Sequence, residues 1–351
     1  MTARFPTSSH DAFAARLIAW QRQHGRHDLP WQASDPYPIW VSEIMLQQTQ
    51  VDTVIPYFHR FMARFPTVSA LASAPEDAVL LAWSGLGYYA RARHLHAAAR
   101  RIMTDHGGCF PDSAAGLRDL PGIGRSTAAA IAAFAFGERT AILDGNVKRV
   151  LCRMFAIEGW PGTASVEKRL WALAEALLPE HAIAAYTQGL MDLGATVCTR
   201  ARPRCSACPF ADTCQARIQD RVAALPTPRP RRVQPERTTY MLMIRHGRDF
   251  LLEKRPAPGI WGGLWSLPEC PPEQDPERWL TARGLKPVTL IQRPSLSHAF
   301  THFRLRILPI LVEVEPLLVA PWPGSRWLDP EALAEAALPT PVRRLLNGLI
   351  R

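Results

Sequence analysis

The chain has 351 residues, enough for two cores, and is 47% hydrophobic and 21% charged, the composition of a globular protein. Lysine and arginine number 41 against 31 aspartate and glutamate, a net charge of +10 that suits a polyanionic partner or simply a basic surface. No apolar run is long enough to span a membrane, and residues 1–13 lack a signal core, so the expectation is a cytoplasmic protein (nucleoid-associated if bacterial) whose cysteines are ligands or free thiols.

Residues 12–218 read as a succession of short helices. Apolar positions recur at helical spacing in Val41, Ile44, Met45, Val51, Val54, Ile55 and Phe58, then through 79–83, 94–102, 128–136 and 170–178. Pro56, Pro66, Pro75, Gly107, Gly137 and Pro179 punctuate the gaps. The spacing predicts a helix over 40–50 with one acid, Glu43, near its start. Such an acid takes part in capping, lies exposed or, among Trp40, Ile44 and Leu46, is desolvated enough to carry a proton near neutrality. Gln47, Gln48 and Gln50 share that helix, and Gly85-Leu86-Gly87-Tyr88-Tyr89-Ala90-Arg91 follows a short one. Glutamine and tyrosine are ordinary surface residues. Beside DNA they also fill gaps in a base stack and bond to base edges.

Leu120-Pro121-Gly122-Ile123-Gly124-Arg125-Ser126-Thr127-Ala128 lies between two helical stretches. Its glycines allow positive φ and close backbone approach, so it is either a plain helix corner or a hairpin whose amides meet a phosphate. Next, Asp144 stands between an apolar run and a new helix, the position of an N-cap. Helix amides and the local dipole are expected to lower its pKa and keep it ionised. Two oppositely tuned carboxylates are the usual machinery for breaking a glycosidic bond. Lys148, Arg149, Arg200, Arg202 and Arg204 are the expected phosphate contacts.

Cys198, Cys205, Cys208 and Cys214 are separated by six, two and five residues. A zinc site usually pairs two Cys-x-x-Cys hooks, and only Cys205 and Cys208 form one. One long loop with two shorter ones suits a [4Fe–4S] cubane better, with zinc and then disulfides as the alternatives. Residues 225–237 are rich in proline and arginine and predict an extended linker. Beyond them the pattern mixes strands at 238–244 and 303–314 with helices at 330–337 and 341–349, a smaller α+β domain. There are no internal repeats.

These pieces in this order resemble the helix–hairpin–helix DNA glycosylases that carry an iron–sulfur cluster, and among them the adenine glycosylases of the MutY type. The resemblance spans nearly the whole chain. It rests on VSEIMLQQTQV, GLGYYARAR, LPGIGRSTA, LDGNVKRV, the cysteine spacing and HAFTHFRL. It implies a multidomain fold: an all-α catalytic domain over 1–224, with the hairpin at about 114–137 and the cluster loop at 198–214, then a Nudix-like domain over 238–351. The implied partner is double-stranded DNA with A·8-oxoguanine or A·G mispairs, the implied cofactor a [4Fe–4S] cluster, and the expected state a monomer.

By the same resemblance, Glu43 protonates adenine at N7 and Asp144 stabilises the sugar cation, with Asn146 beside it. Gln48 and Tyr88 occupy the step next to the oxidised guanine, Gln188 lies in the adenine pocket, and Gly122, Gly124 and Ser126 belong to the DNA-binding hairpin. Ser126 stands where endonuclease III-like enzymes carry a lysine that cuts the strand, which implies a monofunctional enzyme. The rivals are a bifunctional glycosylase/lyase of that type and a non-catalytic damage-binding protein. Residues 262–269 are similar to the core of Nudix hydrolases, but the glutamate-rich magnesium helix is absent. Phe300, Thr301 and His302 form the implied recognition triplet, with threonine where serine is more usual. Read without the resemblance, Phe300 is a core residue and the next two begin a strand.

Overall fold

The computed structural model describes residues 7–230, 233–315 and 322–349, so the expectation about the first residues falls partly outside it. The chain divides into two compact units, residues 1–72 with 97–231 and residues 73–96 with 232–351. In chain order the helices of the first half are α1 (Thr7–His24), α2 (Pro36–Leu46), α3 (Val51–Arg64), α4 (Val68–Ser73), α5 (Glu76–Ala82) and α6 (Ala90–Asp105). They continue as α7 (Ala114–Arg118), α8 (Arg125–Ala135), α9 (Gly145–Met154), α10 (Ala164–Ala176), α11 (Ile183–Asp192) and α12 (Gln215–Ile218).

The first unit buries one face each of α1, α8, α9, α10 and α11 around Leu17, Val147, Leu151, Leu170, Tyr186 and Leu190. Each such leucine removed from water contributes about 1.5–3 kcal/mol. Three buried alanines of α8, Ala129, Ala130 and Ala133, face that core. Short side chains let the neighbouring helices come close.

The helix predicted over 40–50 starts earlier and stops sooner. Asp35 caps α2, accepting from the Tyr37 amide at 2.9 Å, and Pro36 opens the helix. An Asp–Pro pair is a helix-start signal, so Glu43 lies in the last half of α2 rather than near its start. Gln47 through Gln50 leave the helix, and Gln48 adopts φ +61. Pro56, read as a gap, sits inside α3. It is near enough to the N-terminus to remove only one backbone bond.

The second unit is built on a mixed sheet of β1 (Glu236–His246), β2 (Asp249–Lys254), β3 (Trp265–Ser266), β4 (Glu269–Cys270), β5 (Pro287–Gln292), β6 (Leu296–Ala299), β7 (Arg304–Val314) and β8 (Ser325–Leu328). Its path runs β3-β2-β1-β7-β5, with β1 and β7 parallel at the centre, Glu236 opposite Arg304 and Arg245 opposite Glu313. Alternate residues of β1 enter opposite cores. Met241 and Met243 pack with α14 (Pro330–Glu335) and α15 (Thr340–Asn347), and Leu242 and Ile244 with α13 (Pro276–Thr281). A strand covered on both faces reads as an unbroken apolar run.

The helical segment 73–96, expected within the catalytic domain, groups with this sheet. Lys254 pairs with Asp77 at 2.6 Å, Arg93 donates to the Gly262 carbonyl, and the Tyr89 hydroxyl donates to the Leu338 carbonyl at 3.4 Å. The predicted linker lies partly outside the described residues, and its last two positions, Glu236 and Arg237, already belong to β1.

Candidate active site

A cavity of about 570 Å³ opens in the first unit between α2 and α11, with Glu43, Leu46, Trp31, Arg26, Gln188 and Met191 among its walls. Its lining is mainly apolar with a few polar groups, the ordinary character of a small-molecule or base pocket. Glu43 is half-buried there. Burial, and secondarily the negative charge of Asp144, push its carboxyl up to about 8. Two carboxylates distant in sequence therefore act on one another.

Asp144 is the N-cap of α9. One oxygen accepts from the Val147 amide at 2.8 Å and the other from the Asn146 side-chain amide at 3.3 Å. The expectation of a lowered pKa is overturned: burial raises it, and these hydrogen bonds with the Arg149 guanidinium offset only part of that. Desolvation of a charge in a closed site outweighs a cap's dipole, which acts from one side alone.

Arg149 is turned inward. It donates to Asn146 Oδ1 at 2.8 Å, to the Gly194 carbonyl at 2.7 Å and to the Cys198 carbonyl at 2.7 Å. Lys148 pairs with Glu167 at 2.6 Å. Neither is thus presented as a free phosphate contact, whereas Arg200, Arg202 and Arg204 are exposed. Residues 193–197 form a π-helical turn against α9. A Cβ on Gly194 would stand 2.6 Å from that of Asn146, so only glycine fits there.

Gln188 lines the cavity from α11 and donates its amide nitrogen to Asp192 at 2.8 Å. Asp192 is fully buried and is held by Arg26 through the backbone amide at 2.9 Å and Nε at 2.7 Å. Sequence reading missed both partners. The i,i+4 spacing of Gln188 and Asp192 was a usable signal; nothing local pointed to Arg26.

The hairpin between α7 and α8 takes positive φ at Gly122, +79°, but not at Gly124, which is the N-cap of α8 at φ −84°. No side chain caps α8, so its leading amides are left for an outside acceptor. Ser126 Oγ accepts from the Leu143 amide at 2.9 Å, tying the hairpin to the segment that delivers Asp144. Gln48 and Tyr88, one in each unit, are exposed and left-handed, at φ +61 and +49. Bulky residues in that region are strained, a mark that clusters at functional positions.

In the second unit Phe300 is half-buried against the core, while Thr301 and His302 are exposed in a turn closed by the Phe300 amide to the Phe303 carbonyl at 2.9 Å. The strand expected from Thr301 begins only at Arg304.

Cys198, Cys205, Cys208 and Cys214 line a common small cavity, and none of them is in a disulfide. Burial and then the neighbouring cysteines push the Cys208 thiol up to about 11. Thiols in such a site ionise only with a metal to hold them. Among the described residues no group of three or more His, Cys, Asp or Glu is set to hold one metal ion. Arg153, 3% exposed, braces the loop: it donates to the carbonyls of Thr199 at 2.7 Å and Leu225 at 2.8 Å, and to Cys198 Sγ at 3.4 Å.

Residues 41–176 match the HhH-GPD superfamily of base excision DNA repair proteins, and residues 239–348 match the NUDIX domain. Glu43 is on the cavity wall, and Asp144, outside that lining, reaches it through its charge; the hairpin and helical unit that carry them are those of a base-excision repair glycosylase. The adenine DNA glycosylase of Buchnera aphidicola subsp. Acyrthosiphon pisum (strain APS) is 36% identical over 340 residues, covering 96% of this chain and 97% of that one. The Homo sapiens adenine DNA glycosylase is 35% identical over 405 residues, covering 96% and 73%. A solved thermostable thymine-DNA glycosylase superposes with a TM-score of 0.53 at 29% identity, over 60% of this chain and 98% of that one. The chain belongs to the adenine DNA glycosylase family, hydrolases of N-glycosyl bonds.

Proposed function

We propose that the protein removes adenine mispaired with 8-oxoguanine or guanine in duplex DNA and leaves an abasic site without cutting the strand. The observation that carries this reading is Glu43, raised to about 8 on the wall of the cavity and within the field of Asp144. A carboxyl so tuned is protonated at neutral pH and is suited to deliver that proton to N7 of an extrahelical adenine. As the purine leaves, positive charge develops on the sugar, and the Asp144 carboxylate stabilises it. Asn146 and the Val147 amide hold that carboxylate in place. With its amide nitrogen committed to Asp192, Gln188 has its carbonyl left for the cavity, an acceptor suited to adenine's exocyclic amine.

Ser126 supports the monofunctional mode. It offers no amine, and its hydroxyl is occupied by the Leu143 amide. Gln48 and Tyr88 are read as probes of the base stack, and Phe300, Thr301 and His302 as the reader of the oxidised guanine. Cys198, Cys205, Cys208 and Cys214 would hold a [4Fe–4S] cluster, which when bound cross-links the loop that presents Arg200, Arg202 and Arg204 to phosphates. A monomer working in the cytoplasm fits this reading.

Duplexes carrying A·8-oxoguanine, A·G or thymine glycol test it, incubated with the protein and resolved with and without alkali. Strand breaks only after alkali, and only with the adenine substrates, are expected. Breaks without alkali or with thymine glycol would favour the lyase reading, and no base release at all the binding-protein reading.

A further inference from the structure

In the second unit one short segment, residues 261–263, touches both the Phe300–His302 turn and the two helices that flank the Tyr88 loop. Trp261, at φ +56, is its least ordinary member. A bulky residue rarely adopts a left-handed backbone, and a tryptophan that merely filled the core would need no such strain. Trp261 is also only half-buried. Its ring lies 5.4 Å from that of Phe300 and 5.7 Å from that of His298. Phe300 in turn stacks on Phe303 at 4.6 Å and takes the edge of His298 at 4.7 Å. Three aromatic rings thus fix Phe300, and the two residues after it are exposed at the tip.

The next two residues of the segment meet α5 and α6, the helices before and after the Tyr88 loop. Arg93 of α6 donates to the Gly262 carbonyl. A Cβ on Gly263, itself at φ +81, would stand 3.1 Å from Glu76 Oε1 and 3.2 Å from Leu80 Cδ1 of α5. At the start of α6, Arg91 lies 5.4 Å from the Tyr88 ring centroid and donates to the Gly87 carbonyl at 3.3 Å. The helices that bound the Tyr88 loop are therefore anchored to the residues next to Trp261, and Arg91 ties the loop to α6.

We infer that Trp261 is a positioning residue that joins these two loops, so that preference for 8-oxoguanine over guanine depends on it although it touches neither base. This rests on the reading of Phe300, Thr301 and His302 as the oxidised-base reader. Displacement of a recognition group by about 1 Å costs up to about a hundredfold, a size that rate ratios resolve.

The test uses the full chain and single-turnover adenine release from A·8-oxoguanine and A·G duplexes. Trp261→Gly removes the ring while relieving the backbone; Trp261→Phe keeps an aromatic; Thr301→Ala probes the reader itself. Trp261→Gly is expected to lower the 8-oxoguanine-to-guanine rate ratio about tenfold or more, with the A·G rate and the circular dichroism spectrum held and Trp261→Phe restoring most of the ratio. Tyr88→Ala and Thr301→Ala should be non-additive in the parent and additive in Trp261→Gly. If Thr301→Ala lowers the ratio and Trp261→Gly leaves it intact, or lowers both rates equally, Trp261 is mere packing and the inference is overturned alone. If Thr301→Ala has no effect on the ratio, the reading of the turn fails and takes the inference with it.

Discussion

Glu43 and Asp144 have the same functional group and opposite duties, and only their surroundings separate them. Glu43 is raised to about 8, and if it carries the proton as proposed, adenine release should fall as pH rises through that value. Glu43→Gln should lower the single-turnover rate by about 10²–10⁴ while DNA binding is kept, measured by gel shift. The same residue predicts a stability effect. The folded state binds the Glu43 proton more tightly than the unfolded chain does, so stability is lost as pH climbs from the ordinary carboxyl range to about 8. A glutamine cannot ionise. Thermal melts of Glu43→Gln should therefore match the parent near pH 4.5 and lie above it near pH 9; equal melts at both would mean that Glu43 is solvated after all. Asp144 was legible as an N-cap from its neighbours, but the sign of its shift was not. Its burial comes from elements far along the chain.

Among the elements, α9 does two jobs, delivering Asp144 at its start and bracing the cysteine loop with Arg149 and Arg153 along its length. Gly194→Ala should press its new methyl on Asn146 and misplace the cap. A loss of about 1–3 kcal/mol in denaturant unfolding is expected, with slower adenine release. Arg153→Met keeps much of the side-chain bulk but leaves several carbonyls without a donor. About 3 kcal/mol of destabilisation should follow, read by denaturant unfolding, together with faster proteolysis in the cysteine loop. The helix starts and hairpin were visible in short-range signals. The end of α2 was not, because Gln47, Gln48 and Gln50 are good helix formers whose exit serves the exposed, strained turn at Gln48.

For the whole molecule, the main surprise is that residues 73–96 group with the sheet and not with the helices that flank them in sequence. A chain ended after residue 230 should thus leave 73–96 without Lys254, Gly262 and Leu338 as partners. Amide exchange there should speed up while α8 stays protected, and discrimination for 8-oxoguanine should drop; unchanged exchange at 76–93 would contradict the division. The sequence alone determined features set by neighbours a few residues apart: the Asp144 cap, the Gly122 turn, the cysteine spacing, the strand at 238–244. Each depends on backbone torsions or on pattern period, which local chemistry dictates. Tertiary structure alone decided that Glu43 feels Asp144, that Arg26 reaches Asp192 behind Gln188, and that Trp261 lies against Phe300. Desolvation and Coulomb energy depend on what folds over a group and how near it comes, and no window of sequence contains that distance.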